Sequence, residues 1–473
     1  MSARGWIGLV ATIALLVSQG DAADATEGEV ATPGPDCDTP TAGRPPDPRC
    51  GEALDGRDTT EVTTRPNALG RATLFVPRAI MAGVFWPVIE TEDVIESHHL
   101  DNWIVAFLTS DDGRVGVRPI VRYATGFVST VGLRVFDRRL PGDGSGVAGS
   151  FETAGPAVLM GQIDAAAPRQ TGLTFRGIFN RRDDRYFAGI GPLTDADLAA
   201  NGWSPARYGS TNLSAELRWT KRLPAHFQLA LHGDVQDRDY RATGVRGGPS
   251  VAIVFPTSSP ACQSATEPIN ACVDPTLLPG FENGLRVGHE GIGVLWDYGA
   301  HRREGSGAAF AVDATFAEGF GSDPSRHVTL SAEPMVALGG RDRKLILRGQ
   351  VAMVDALGDA PIPFEELVMM SGMNGMRGYL GGRFRGESGA VATAEYRWYV
   401  GRRVDATIFT DVGTVAGHNF AGIGSAPWFP SYGAGLRLYD GAAEYWEGAV
   451  DSEVQLVYAP GNGVRFMFVV AAF

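Results

Sequence analysis

Strict alternation of apolar and polar residues constrains this chain more than any other feature. The run Asn212-Leu213-Ser214-Ala215-Glu216-Leu217-Arg218-Trp219-Thr220 alternates without a fault. Gln228 to Gln236 does nearly as well, with Ala230 the one apolar residue on the polar parity. The two parities of a strand point to opposite faces, so each segment offers one wet face and one that must meet lipid or a core. About fifteen such segments can be read by this period. They start near Val115, Ser129, Val147, Gly172, Thr211, Phe227, Glu290, Ala308, His327, Lys344, Ala390, Val404, Tyr432, Val450 and Val464. Most run roughly 10 to 13 residues, enough to cross a bilayer at a tilt. A closed bacterial barrel has an even number of strands, which places a further strand, split or missed, between Asp101 and Phe187.

The connections have the matching asymmetry. Lys221-Arg222-Leu223-Pro224 and Gly401-Arg402 read as tight turns, whereas Asp183–Tyr208, Arg241–His289 and Gly358–Glu387 are long. Short turns on one rim and long loops on the other are expected of a transmembrane barrel. Trp219, Tyr396, Trp398 and Tyr458 fall near strand ends on the apolar parity. They would form interfacial girdles in a membrane, or core in a soluble sandwich. No segment after the N-terminal run is long enough for a membrane-crossing helix, and mean hydropathy is −0.05. An alternating barrel shows such an average, but so does a soluble β-protein, so composition alone does not decide. The expectation is an all-β, transmembrane antiparallel barrel of 16 strands over residues 115–473, with a long loop docked in its lumen.

Upstream, Arg4, the apolar run Trp6–Val17 and the small residues Gly20-Asp21-Ala22-Ala23 have the layout of a secretory signal peptide over residues 1–22. The run is too short to cross a membrane core, which needs roughly 20 residues in a helix. Residues 23–66 are rich in Pro, Thr, Asp and Gly and read as a flexible leader. Residues 67–114 form a pre-barrel segment in which Arg78–Trp86 admits a short apolar helix stopped by Pro87, or alternatively a strand or buried plug. The envelope is oxidising, so the 4 cysteines pair locally as Cys37–Cys50 and Cys262–Cys272. No metal or cofactor is expected, since a metal site would want closer Cys-x-x-Cys spacing or histidine partners. The net charge of −13 without a basic block gives no basis for nucleic-acid binding. An enzyme is not expected either. No Gly-x-Ser-x-Gly elbow occurs, His98-His99 precede the barrel, and His232 and His289 have no obvious serine partner.

The sharpest signal lies in three pieces. Met376-Arg377-Gly378-Tyr379 sits in a glycine-rich loop, Gly372–Gly386. Glu395 and Arg397 share the polar face of the next strand, and Phe409, Asp411 and Gly413 share that of the strand after it. A tight turn joins those strands, so both polar faces line one interior. A loop carrying Arg377 can fold into that interior and offer its planar guanidinium to both carboxylates, with the flanking glycines permitting close approach.

These residues resemble the BamA/TamA family of bacterial surface-antigen barrels. The family's lumen-loop motif, [V/I]-R-G-[F/Y], is matched by Met376 to Tyr379, with Met376 in place of the β-branched residue. Its F-x-D-x-G strand is matched by Phe409 to Gly413, and five strands follow the loop here as in the family. Gly433–Arg437 resembles a late family strand, and Asp183–Gly191 a stretch common in short members. The likeness covers roughly residues 70 to 473. The terminal strand, Val464 to Phe473, closes on an aromatic residue and resembles the assembly signal of outer-membrane barrels, although both its parities are apolar and its facing is open. The resemblance implies an outer-membrane location, with lipids, the barrel assembly machinery that inserts it and client envelope proteins as partners. It also implies assistance in protein insertion or translocation through weak pairing of the first and last strands. Family members carry periplasmic POTRA domains, and no such pattern is found here. A passive pore or structural barrel without assembly activity is therefore the alternative.

Overall fold

The computed structural model describes residues 109–470, except 111–113, 141, 143, 169–170, 244, 246–247, 264–266, 302–304, 321–324, 341–342, 374, 401–403 and 439–451. The signal peptide, leader, pre-barrel helix, Cys37, Cys50 and Phe473 all lie outside the described residues.

The strands are β1 (Val115–Ala124), β2 (Thr130–Asp137), β3 (Gly146–Thr153), β4 (Val158–Ala166), β5 (Leu173–Phe187) and β6 (Ala206–Arg222). They continue with β7 (Phe227–Arg241), β8 (Leu285–Tyr298), β9 (Gly307–Gly319), β10 (Arg326–Gly339), β11 (Arg343–Ala356), β12 (Val368–Met369) and β13 (Arg385–Gly386). The last are β14 (Ser388–Tyr399), β15 (Val404–Ala416), β16 (Phe429–Leu438), β17 (Ser452–Ala459) and β18 (Gly463–Val470). Sixteen of them close an antiparallel barrel in chain order, with β11 passing to β14 and β18 returning to β1. The pair β12–β13 forms a separate small sheet in the 357–387 connection. Among the described residues no helix is long and apolar enough to cross a membrane.

The strand hidden from the period-two reading is β4, within the stretch where it was sought. Its sequence, Val-Leu-Met-Gly-Gln-Ile-Asp-Ala-Ala, blurs both parities. Ile163 faces outward and is 57% exposed, but Gly161 on the same parity carries no side chain, and the opposite parity begins with Val158 and Met160. Elsewhere alternation and facing agree. Leu213, Leu217, Leu231, Val235, Ile292 and Leu456 are exposed apolar residues on the outer face, while Asn212, Glu216, Arg218, Asp234 and Gln455 lie on the other parity. The facing of β18 is resolved likewise: Val464 and Phe466 are exposed, and Arg465 and Met467 are buried.

Strands β5 and β6 run past the expected loop boundaries, to Phe187 and from Ala206. There the outward-in contrast fails because both flanks are packed by loops. Phe187, Ala206 and Tyr208 are fully buried in one cluster with Tyr240, Phe255, Phe281 and Phe364. The 242–284 connection supplies much of this cluster, and within it Cys262 and Cys272 are bonded, with Cα atoms 5.2 Å apart. The rim bearing 188–205, 242–284 and 357–387 holds the long loops. Among the described residues, the opposite rim carries shorter connections, such as 223–226 between β6 and β7.

Candidate functional site: an arginine clamp inside the barrel

The 357–387 connection, here called the inner loop, turns back against the inward faces of β14, β15 and β16. Its position is fixed by shape before charge. Met376 is fully buried with Val391 and Val415. Gly378 lies so close to the wall that a Cβ there would meet Ser431 Cβ at 2.5 Å and Ala459 Cβ at 2.8 Å. Tyr379 donates its hydroxyl to the Pro430 carbonyl at 3.1 Å and packs on Phe384, which lies 4.1 Å from the Phe429 ring.

Arg377, held between them, is 4% exposed. Its Nε donates to Asp411 Oδ2 at 3.0 Å and a terminal nitrogen to Oδ1 at 2.7 Å, a two-pronged pairing that only a planar fork can make. The backbone N–H of Arg377 adds a third bond to Asp411 Oδ2 at 3.1 Å. The other terminal nitrogen donates to Glu395 Oε2 at 3.0 Å. The guanidinium carbon also sits 3.3 Å from the centroid of the Phe409 ring, a cation–π stack. Burial by itself weakens the guanidinium's hold on its proton, but Asp411 and Glu395 more than offset this and raise its pKa above the ordinary arginine value.

Strand register explains why these groups meet. Glu395 is the Cα partner of Phe409, Thr393 of Asp411, and Phe409 of Gly433. The aromatic ring of Phe409 occupies the space a side chain at position 433 would need. Gly413 plays the same part for the loop, since a Cβ there would come within 3.1 Å of Met376 Sδ. The carboxylates are then satisfied from the wall. Thr393 and Ser431 donate to Asp411 at 3.0 and 3.3 Å, while Arg397 and Arg437 donate to Glu395 at 2.6 and 3.0 Å. Arg437 continues to Glu453 at 2.8 Å, so a ladder of alternating charge crosses β14, β16 and β17. Parity alone exposes the inward side of Arg397, but not that Thr393, Ser431 and Arg437 sit at the matching heights, which depends on register.

The far side of the inner loop is tied to other strands. Arg383 donates to Asp195 at 2.9 Å, at the start of the short helix α1 (Asp195–Ala200). Arg385 donates to the Phe364 carbonyl at 3.0 Å, and its carbonyl accepts from Gly191 N–H at 2.7 Å. Asp184, fully buried, accepts two bonds from Arg182 at 2.8 Å each and one from Val128 N–H at 2.6 Å. A second group was missed by sequence reasoning, which expected no histidine partners for a metal. The structure brings His289, His327 and Glu366 together, with the donor atoms within 4.8 Å of one another. Their separation in sequence hides them, and only strand register shows that the two histidines stand level.

Residues 297–443, which contain the loop motif and the wall it meets, match the Omp85 superfamily domain. Among solved structures the chain is similar to BamA from Haemophilus ducreyi lacking POTRA domains 1-3, at 13% identity and a TM-score of 0.49, covering 76% of this chain and 70% of that one. It is similar also to CdiB from Acinetobacter baumannii, at 11% identity and a TM-score of 0.43, over 76% of this chain and 60% of that one. CdiB from Escherichia coli gives 11% identity and a TM-score of 0.44, over 75% and 62%. No curated protein matches. The match to the Omp85 superfamily domain falls on β9–β16 with their inner loop, in a closed barrel whose outer face is apolar.

Proposed function

We propose that this barrel assists the insertion or translocation of envelope proteins, with the closure between its first and last strands as the working edge. The observation that carries this reading is that the first and last strands of the barrel meet edge to edge in a backbone-paired seam. Among the described residues, β1 and β18 pair over Val121–Ala124 against Met467–Val470, and Thr125 N–H donates to the Phe466 carbonyl at 2.9 Å. A strand edge that parts from its partner presents a row of unpaired N–H and C=O groups, which is a template for an incoming strand. A passive pore is the second reading, and the inner loop lying in the lumen argues against an open one.

A reversible lock tests the proposal. Tyr123 and Phe468 are register partners across the closure. In the double variant Tyr123→Cys/Phe468→Cys, oxidation should stop the gain of newly inserted outer-membrane proteins that the reduced form supports, and reductant should restore it. Equal insertion by the locked and unlocked barrels rules out the seam as the working edge.

A further inference from the structure

We infer that His289, His327 and Glu366 form a binding site for a divalent transition metal, zinc by its chemistry, that staples the inner loop to the β8–β10 wall. The two histidines lie at one height. His289 on β8 and His327 on β10 are both Cα partners of Ala317 on the intervening β9. Two strands separated by a third stand about 9.5 Å apart, a gap that two inward-leaning imidazoles can bridge. Ala317 between them contributes only a methyl group to the lumen side and is 1% exposed. Glu366 descends from the inner loop onto this pair.

The donor geometry suits such an ion. Glu366 Oε2 lies 3.0 Å from His289 Nε2 and 3.5 Å from His327 Nε2. Ligands about 2.0–2.1 Å from a tetrahedral zinc stand about 3.3 Å from one another. The second, independent observation is His327 itself. It is fully buried, and neither ring nitrogen makes a hydrogen bond. A buried imidazole without partners loses its hydration for nothing in return, whereas one whose Nε2 points at a carboxylate and a second imidazole is placed as a ligand.

The surroundings complete the argument. Asp234, the register partner of His289 on β7, accepts from His289 Nδ1 at 2.9 Å. That contact fixes the tautomer leaving Nε2 as the metal-facing nitrogen, and the carboxylate raises its basicity. Gln236 in turn donates to Asp234 at 2.7 Å. Arg238 occupies the other oxygen of Glu366, Oε1, at 2.8 Å, leaving Oε2 as a single-point ligand. Two imidazoles and one carboxylate select a borderline ion over calcium or magnesium, which prefer oxygen-only sets. The fourth position is left for water. Binding displaces the proton that otherwise lies between His289 Nε2 and Glu366 Oε2. A proton-bridged charge network is thus the competing state.

The test uses the full barrel, purified in detergent without a histidine tag and stripped with a chelator. Zinc is then added, excess is removed, and bound metal is measured by mass spectrometry. Cobalt(II) is added in a parallel sample for its absorption spectrum. The wild-type barrel should retain zinc at about one ion per chain and show the visible bands of four-coordinate cobalt. His327→Gln should abolish both, and Asp234→Asn should weaken zinc binding by about 10- to 100-fold. Heat-modifiable gel mobility identifies which variants are folded, and if His327→Gln does not fold, Glu366→Gln, in the loop rather than the wall, takes its place. No retained zinc in the wild type, or equal retention in the ligand variant, overturns the site and leaves the proton-bridged network.

Discussion

Two regions of this barrel wall, β14–β16 and the β1–β18 closure, are made of the same kind of strand and are held in opposite ways. The first is pinned from inside by a buried guanidinium with three partners at one spot, Asp411, Glu395 and Phe409, and the two carboxylates are held in turn by Thr393, Ser431, Arg397 and Arg437. Among the described residues, the second rests on a backbone ladder, a bond from Arg465 to the Thr125 carbonyl at 3.1 Å, bonds of the Thr125 hydroxyl to the Phe466 main chain at 2.9 and 3.1 Å, and a ring contact between Tyr123 and Phe466 at 5.8 Å. Stability in a folded chain is distributed unevenly, and segments with fewer internal ties open at lower cost. The contrast therefore assigns rigidity to the clamp and opening to the seam.

The largest effect expected breaks the rigid side. Arg377→Ala leaves Asp411 and Glu395 buried without their shared cation, a change that typically costs about 3–5 kcal/mol. The inner loop should then be cut rapidly in limited proteolysis and the yield of folded barrel should fall. Arg377→Lys should recover only part of the protection, because an ammonium cannot make the two-pronged pairing. A loop in the wild type cut as fast as in Arg377→Ala means that it is not docked.

Next in size is Gly378→Val, which leaves every charge in place. Its branched side chain must displace Ser431 and Ala459, and overpacking of this kind costs about 1–3 kcal/mol. Proteolysis should rise near residue 378 while the cut pattern of the 242–284 loop stays unchanged. Unaltered protection shows that the close approach of loop and wall is dispensable.

The smallest effect sharpens the seam. Phe466→Ala removes one ring of an aromatic pair worth about 0.5–1.5 kcal/mol. It should speed amide exchange in β1 and β18 without altering loop proteolysis. A matching loss of loop protection would show that seam and clamp are one cooperative unit.

The sequence made the wall legible because lipid and lumen impose opposite chemistry on alternate residues. It did so for β6 and β7, where Leu213, Leu217, Leu231 and Val235 mark one face. Where the chemistry of the faces converges, the signal is lost. Strand β4 has Gly161 outside and Met160 inside, and the ends of β5 and β6 are buried on both sides by loops. The meeting of Arg377 with Asp411 and Glu395 was suggested by motif and parity together. Thr393, Ser431 and Arg437 were not, because they depend on register, which alternation does not encode. The same reason hid His289 and His327: their level placement across Ala317 exists only once three strands are aligned.

Native-state hydrogen exchange of the folded barrel tests the central contrast most directly, because it reads both regions in one experiment. The account predicts that amides of Val121–Ala124 and Met467–Val470 exchange fastest among the barrel's paired strands, while those of Val391–Glu395 and Phe409–Gly413 are among the slowest. Equal protection of the two regions, or a seam slower than β14–β15, would contradict it.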